Sequence, residues 1–135
     1  MLKKFRFVSW SVVACSLLLG LAAIGCGIIG GSTTVKIGLL SPQTGPIAVY
    51  APGFEDAANV AITKLNESQD DYVFELIVAN SGCDATQAAT SAQSLVDSGV
   101  AGIAGAACSG ATLSAISVAS AAGIPRVSYA STSPA

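Results

Sequence analysis

Val100-Ala101-Gly102-Ile103-Ala104-Gly105-Ala106-Ala107-Cys108-Ser109-Gly110-Ala111-Thr112 passes from an uncharged apolar run into a small, hydroxyl-bearing turn. Val100 to Ala107 reads as a buried strand, because strands covered on both faces of a parallel sheet carry little polarity. Ala111 to Ala121 reads as the helix that follows, closed by Gly123. Ser109-Gly110-Ala111-Thr112 therefore leaves a strand and enters a helix. Unspent N–H groups and the positive end of the helix dipole gather at such a place. They favour a carboxylate or a phosphate. A serine also stands at helix starts simply as a cap, so capping and ligand binding both remain open for Ser109.

The same alternation extends in both directions. Val35 to Leu40 is a short apolar run bounded by Thr34 and Ser41-Pro42, a first strand. Ser41 to Gly53 holds three prolines and two glycines and reads as a loop. Phe54, Ala57, Ala58, Ala61, Ile62 and Leu65 recur at helical spacing. Tyr72 to Ala79 is a second strand. Asp84 with Gln87 three residues on has the pattern of a capping box. Ala85, Ala88, Ala89, Ala92, Leu95 and Val96 form the next apolar stripe, stopped by Gly99. Ile124 to Tyr129 is a fourth strand, with Pro125 near its start, where a missing N–H does least harm.

The order β-α-β-α-β-α-β predicts an α/β fold, a three-layer arrangement around a parallel sheet with right-handed crossovers. Ligands in such sheets bind beyond the carboxyl ends of the strands. Those ends are Ser41 to Gly45, Asn80 to Gly82, Cys108 to Gly110 and Ala130 to Ser133, all small and polar. The Ser109-Gly110-Ala111-Thr112 turn carries neither Gly-x-Gly-x-x-Gly nor the lysine of a phosphate-binding loop, so nucleotide binding there is poorly supported.

The first residues carry a different signal. Met1 to Arg6 is basic, Phe7 to Ile24 is apolar and uncharged, and Ala23-Ile24-Gly25-Cys26 follows. This resembles a bacterial lipoprotein signal, with residues 1–25 removed and Cys26 carrying the lipid. Residues 26–34 would then be the lipidated cysteine and a short Gly/Ser/Thr tether. Phe7 to Ile29 is also long enough to span a bilayer, so a retained anchor and an ordinary signal peptide are the alternatives. Each of them exports the remainder, since the basic end stays inside.

From Cys26 onward Lys36, Lys64 and Arg126 stand against all eight acidic residues, a net charge of about −5. No basic patch exists there, which argues against nucleic acid. The chain has no histidine. That removes Ser-His-Asp and Cys-His catalysis and His-ligated metals, so no enzyme, metal or cofactor is expected. Glu55 and Asp56 are adjacent, and adjacent helix residues diverge. Cys83 and Cys108 both sit at carboxyl ends of strands. In an exported protein a disulfide between them is the natural reading, with a catalytic thiol at Cys108 the sharper alternative.

Gly45-Pro46 with Tyr50, Cys83-Asp84 with Cys108-Ser109, and Ala130-Ser131-Thr132-Ser133-Pro134 together resemble the leucine/isoleucine/valine-binding protein family. These are type I periplasmic binding proteins that deliver amino acids to ABC transporters. The resemblance implies that residues 35–135 form part of ligand-binding lobe 1. It implies that Ser109 holds an amino acid's α-carboxylate, that Ala130 offers backbone groups, that Thr132 holds the α-ammonium, and that Tyr50 is a rim aromatic. It pairs Cys83 with Cys108 in a disulfide. It implies as partners a small amino acid of branched aliphatic type, ABC permease subunits and, through Cys26, a membrane. A ligand-sensing receptor domain of the same fold is the alternative. Family members have two lobes and a hinge, and are two to three times longer. The expectation is therefore a truncated product or a partial sequence, lacking the next helix and the second lobe, unstable by itself and with little affinity.

Overall fold

The computed structural model describes residues 32–133. The signal segment, Cys26 and most of the tether lie outside the described residues. The strands are β1 (Thr33–Ser41), β2 (Tyr72–Asn80), β3 (Gly102–Ala104) and β4 (Arg126–Val127). The helices are α1 (Ala51–Ser68), preceded by a 3-10 turn at Ala48–Tyr50, then α2 (Ala85–Asp97) and α3 (Ser109–Ala121). All strand pairs are parallel, in the order β2-β1-β3-β4.

Handedness then sets the layers. From β1 the chain steps to one side to reach β2, and from β2 to β3 and β4 it steps to the other. Right-handed crossovers in opposite directions lay their helices on opposite faces. The packing agrees. Leu39 shares a recess with Phe54, Ala57 and Ala58 of α1. Leu40, one residue on and so on the other face, joins Ala88, Ala92 and Leu95 of α2 and Ala111, Ala115 and Ala119 of α3 in the core. Alanines on the facing sides of α2 and α3 let the two helices pack closely. Gly38 makes room beneath them: a Cβ there would stand 2.9 Å from Leu95 Cδ1.

The capping signals fold as expected. The Asp84 carboxylate accepts the Gln87 N–H at 2.8 Å, although the Gln87 side chain turns to Ser91 rather than back to the cap. Gly99 and Gly123 follow the ends of α2 and α3 with positive φ. Asn66 near the end of α1 bonds both the N–H and the C=O of Phe74, fixing that helix to β2.

Several boundaries differ from expectation. β1 starts at Thr33, inside the stretch expected to be tether, and runs to Ser41, and β2 runs on to Asn80. The helix expected from Phe54 begins at Ala51, because Pro52 falls in its first turn, where no N–H is needed. The helix expected from Ala111 begins at Ser109. The strand expected over Val100–Ala107 is paired only at Gly102–Ala104. Gly105 takes φ 110° against the Leu40 carbonyl and turns the chain out of the ladder. The fourth strand shrinks to Arg126–Val127.

One face of the sheet is only half covered. Ala57, Ala61 and Leu65, from the stripe expected to pack inward, are exposed. A recess of about 370 Å³ lies beside them, lined by Leu39, Phe54, Ala57, Ala58, Ala104 and Tyr129. Val127 on the same face is 71% exposed.

Candidate functional site

The crossover direction reverses between β1 and β3, so the crevice of this sheet opens between the loops that leave those two strands. Tyr50 is on the first loop and Ser109 on the second. Ser109 opens α3, yet it is not the cap. Cys108 is the N-cap residue and supplies no side-chain bond. Thr112 is the first amide to bond back along the helix, to the Cys108 carbonyl at 2.8 Å. The amides of Ser109, Gly110 and Ala111 thus have no acceptor within the helix. Gly110 is exposed, and a Cβ added to it would meet nothing within 4 Å. The cap-only reading of Ser109 fails here: its hydroxyl instead accepts the Ser133 N–H at 3.1 Å.

The loop after β4 is tied down beneath that contact. The Ala106 carbonyl accepts from Thr112 Oγ1 at 3.0 Å and from Ser128 Oγ at 3.0 Å, with Ser131 Oγ at 3.4 Å. Ser131 also bonds Thr112, and it lies 2.8 Å from Ser128. A carbonyl has two lone pairs. Thr112 and Ser128 fill them, and the Ser131 proton turns to a neighbouring hydroxyl. The Ser131 amide adds a bond to Ser128 Oγ at 3.1 Å. Ser131 therefore points inward, and its neighbours Ala130 and Thr132 are exposed. Sequence reasoning missed Thr112, Ser128 and Ser131. The only signal was a hydroxyl density that equally marks any loop.

The first and second loops are joined in a similar way. Asn80 Nδ2 donates to Thr44 Oγ1 at 2.9 Å, and Asn80 Oδ1 accepts the Thr44 and Gly82 amides. Cys83 and Cys108 form a disulfide with Cα atoms 5.3 Å apart. It links the residue before the α2 cap to the α3 cap. A bonded Cys108 is no nucleophile. Tyr50 is 61% exposed on the 3-10 turn. Among the hydrogen bonds of the described residues, none ties Tyr50 to Ser109, Ala130 or Thr132. The structure thus gathers Ser109 with the loop carrying Ala130 and Thr132, and leaves Tyr50 across the crevice.

Tyr129 closes the base of this region. Its hydroxyl donates to the Leu40 carbonyl at 2.9 Å, and its ring lies 4.7 Å from that of Phe54. Burial, with a smaller contribution from Glu55, pushes its phenol up to about 12. Arg126 donates to the Gly105 carbonyl, and burial lowers its guanidinium pKa. Among the described residues no group of three His, Cys, Asp or Glu could hold a metal ion. No described helix is long and apolar enough to cross a membrane.

Comparisons with known proteins bear on the fold and the family. Residues 34–135 match the family model described as periplasmic binding protein. A leucine-, isoleucine-, valine-, threonine- and alanine-binding protein of Pseudomonas aeruginosa is 30% identical over 103 residues, covering 75% of this chain and 28% of that protein. The branched-chain amino acid transporter substrate binding protein of Streptococcus pneumoniae, solved with isoleucine, superposes with a TM-score of 0.70 at 30% identity, over 75% of this chain and 30% of its own. A solute binding protein of an ABC transporter from Rhodopseudomonas palustris, solved with 3,4-dihydroxybenzoic acid, gives 0.66 at 28% identity, over 73% and 27%. The chain thus spans less than a third of the length of these relatives. It belongs to the periplasmic binding protein family, and it is similar to the amino-terminal part of leucine/isoleucine/valine-binding type proteins.

Proposed function

We propose that this chain supplies one wall of an extracytoplasmic amino-acid-binding site that serves an ABC importer of the branched-chain type. The observation that carries the reading is the start of α3. Three amides without helical acceptors and the Ser109 hydroxyl stand at the switch point of the sheet, beside the exposed Ala130 and Thr132. A carboxylate is the group such a helix end favours. Ser109 and the first-turn amides would hold the ligand's carboxylate, Thr132 its ammonium, and Ala130 would offer backbone groups. Tyr50 would lie over the ligand from the opposite loop. The chemistry is binding without catalysis, and no cofactor enters it.

Cys26 would carry a lipid that anchors the protein to a membrane, and permease subunits would receive the ligand. Binding proteins of two lobes bury the ligand by hinge closure. The present wall contributes half of such an enclosure. Calorimetry with leucine, isoleucine, valine, threonine and alanine is expected to give no affinity tighter than roughly 1 mM, about 4 kcal/mol of binding free energy. A micromolar dissociation constant for any of them overturns the one-wall reading.

A second reading concerns the ligand. The Rhodopseudomonas palustris relative was solved with an aromatic acid, which shares the carboxylate of an amino acid but has no ammonium. An aromatic acid would use Ser109 and α3 without Thr132. Thr132→Val separates the two: it weakens an amino acid and leaves an aromatic acid unaffected.

A further inference from the structure

We infer that Thr112 and Ser131 are positioning residues for ligand binding, acting through the hydroxyl cluster on the Ala106 carbonyl. This role rests on the binding reading above. The ligand groups assigned to Ser109 and Thr132 lie on different elements, one on α3 and one on the loop after β4. Their separation must be held to a fraction of an ångström for one small molecule to bridge them. The cluster is what holds it. Thr112 reaches back from the first turn of α3 to Ala106, Ser128 reaches the same carbonyl from the β4 loop, and Ser131 lies against both hydroxyls. Ser131 and Thr112 also bond directly across the two elements. Thr112 is 6% exposed, so water cannot readily replace these bonds. With Ser131 held inward, Thr132 faces out and the Ser133 amide comes to rest on Ser109 Oγ. Neither Thr112 nor Ser131 needs to touch the ligand.

The test compares Thr112→Val, which keeps the shape and removes the hydroxyl, with Thr112→Ser, which keeps the hydroxyl, and with Ser131→Ala. Amide hydrogen exchange and the amide shifts produced by L-isoleucine at millimolar concentration are read on the full chain. Thr112→Val and Ser131→Ala should each lower protection of the Ser131 and Ser133 amides roughly tenfold, the scale of one net hydrogen bond. Both should also shrink the isoleucine-induced shifts at Ser109 and Gly110. Protection of the β1 amides Leu39 and Leu40 should stay unchanged, and Thr112→Ser should behave as the parent. Unchanged protection at Ser131 and Ser133 overturns the positioning role alone. So does lost protection with undiminished isoleucine shifts. A parent chain whose Ser109 and Gly110 amides ignore isoleucine overturns the amino-acid reading, and this role with it.

Discussion

At Ser109 a single hydroxyl meets two demands. It accepts the Ser133 amide, and it sits where a ligand carboxylate would arrive. A hydroxyl has one proton to give and two lone pairs to accept with. Accepting from Ser133 therefore leaves the Ser109 proton available to an anion. Tyr129 offers a sharper test at the same scale. Its phenol is raised to about 12, first by burial and then by Glu55. The folded chain holds that proton more tightly than the unfolded chain, whose tyrosine titrates near 10. The associated stability is complete below about pH 10 and is lost as the pH rises towards 12. Ultraviolet titration of the folded chain should show one of its three tyrosines ionising late, and Tyr129→Phe should remove that late step. Titration of all three tyrosines together near pH 10 would place Tyr129 in water.

Among the elements, the helix starts do most to shape the rim, and the disulfide couples two of them. Cys83 takes φ 56°, a left-handed conformation costly for any side chain. It directly precedes the Asp84 cap of α2, and Cys108 caps α3. The bridge closes a segment with a sequence separation of 25, which corresponds to a stabilisation on the order of 3 kcal/mol. Chemical denaturation with and without a dithiol reductant should show a loss of that size. Equal midpoints would mean that the packing of α2 on α3 already supplies the constraint. Every strand and α-helix was legible in the sequence, because apolar spacing and glycine stops are local signals, whereas the 3-10 turn at Ala48–Tyr50 was read as loop. Strand length was not. Val100–Ala107 is apolar throughout, yet β3 ends where Gly105 meets the Leu40 carbonyl, a contact between residues far apart in sequence. The hydroxyl cluster was illegible for the same reason: Thr112 and Ser131 are 19 residues apart. Ser109, by contrast, stood out, because a strand-to-helix turn is itself a local pattern.

For the whole molecule, the sheet divides into a well-covered face and a half-covered one. On the half-covered face α1 packs on β1 and β2, no described helix covers β3 and β4, and Ala57 of α1 stays exposed beside an apolar recess. The crevice lies at the reversal of strand order, where topology alone brings the loops of β1 and β3 together. The most direct test of the carboxylate wall is an amide-shift titration of the nitrogen-15-labelled chain with L-isoleucine, 3,4-dihydroxybenzoate and isoamylamine in parallel. The two carboxylates should both move the Ser109, Gly110 and Ala111 amides, and the amine, which has no carboxylate, should leave them in place. Equal shifts with the amine, or carboxylate-induced shifts confined to the apolar recess around Ala57 and Ala104, would contradict the assignment of α3 as the wall that holds the ligand.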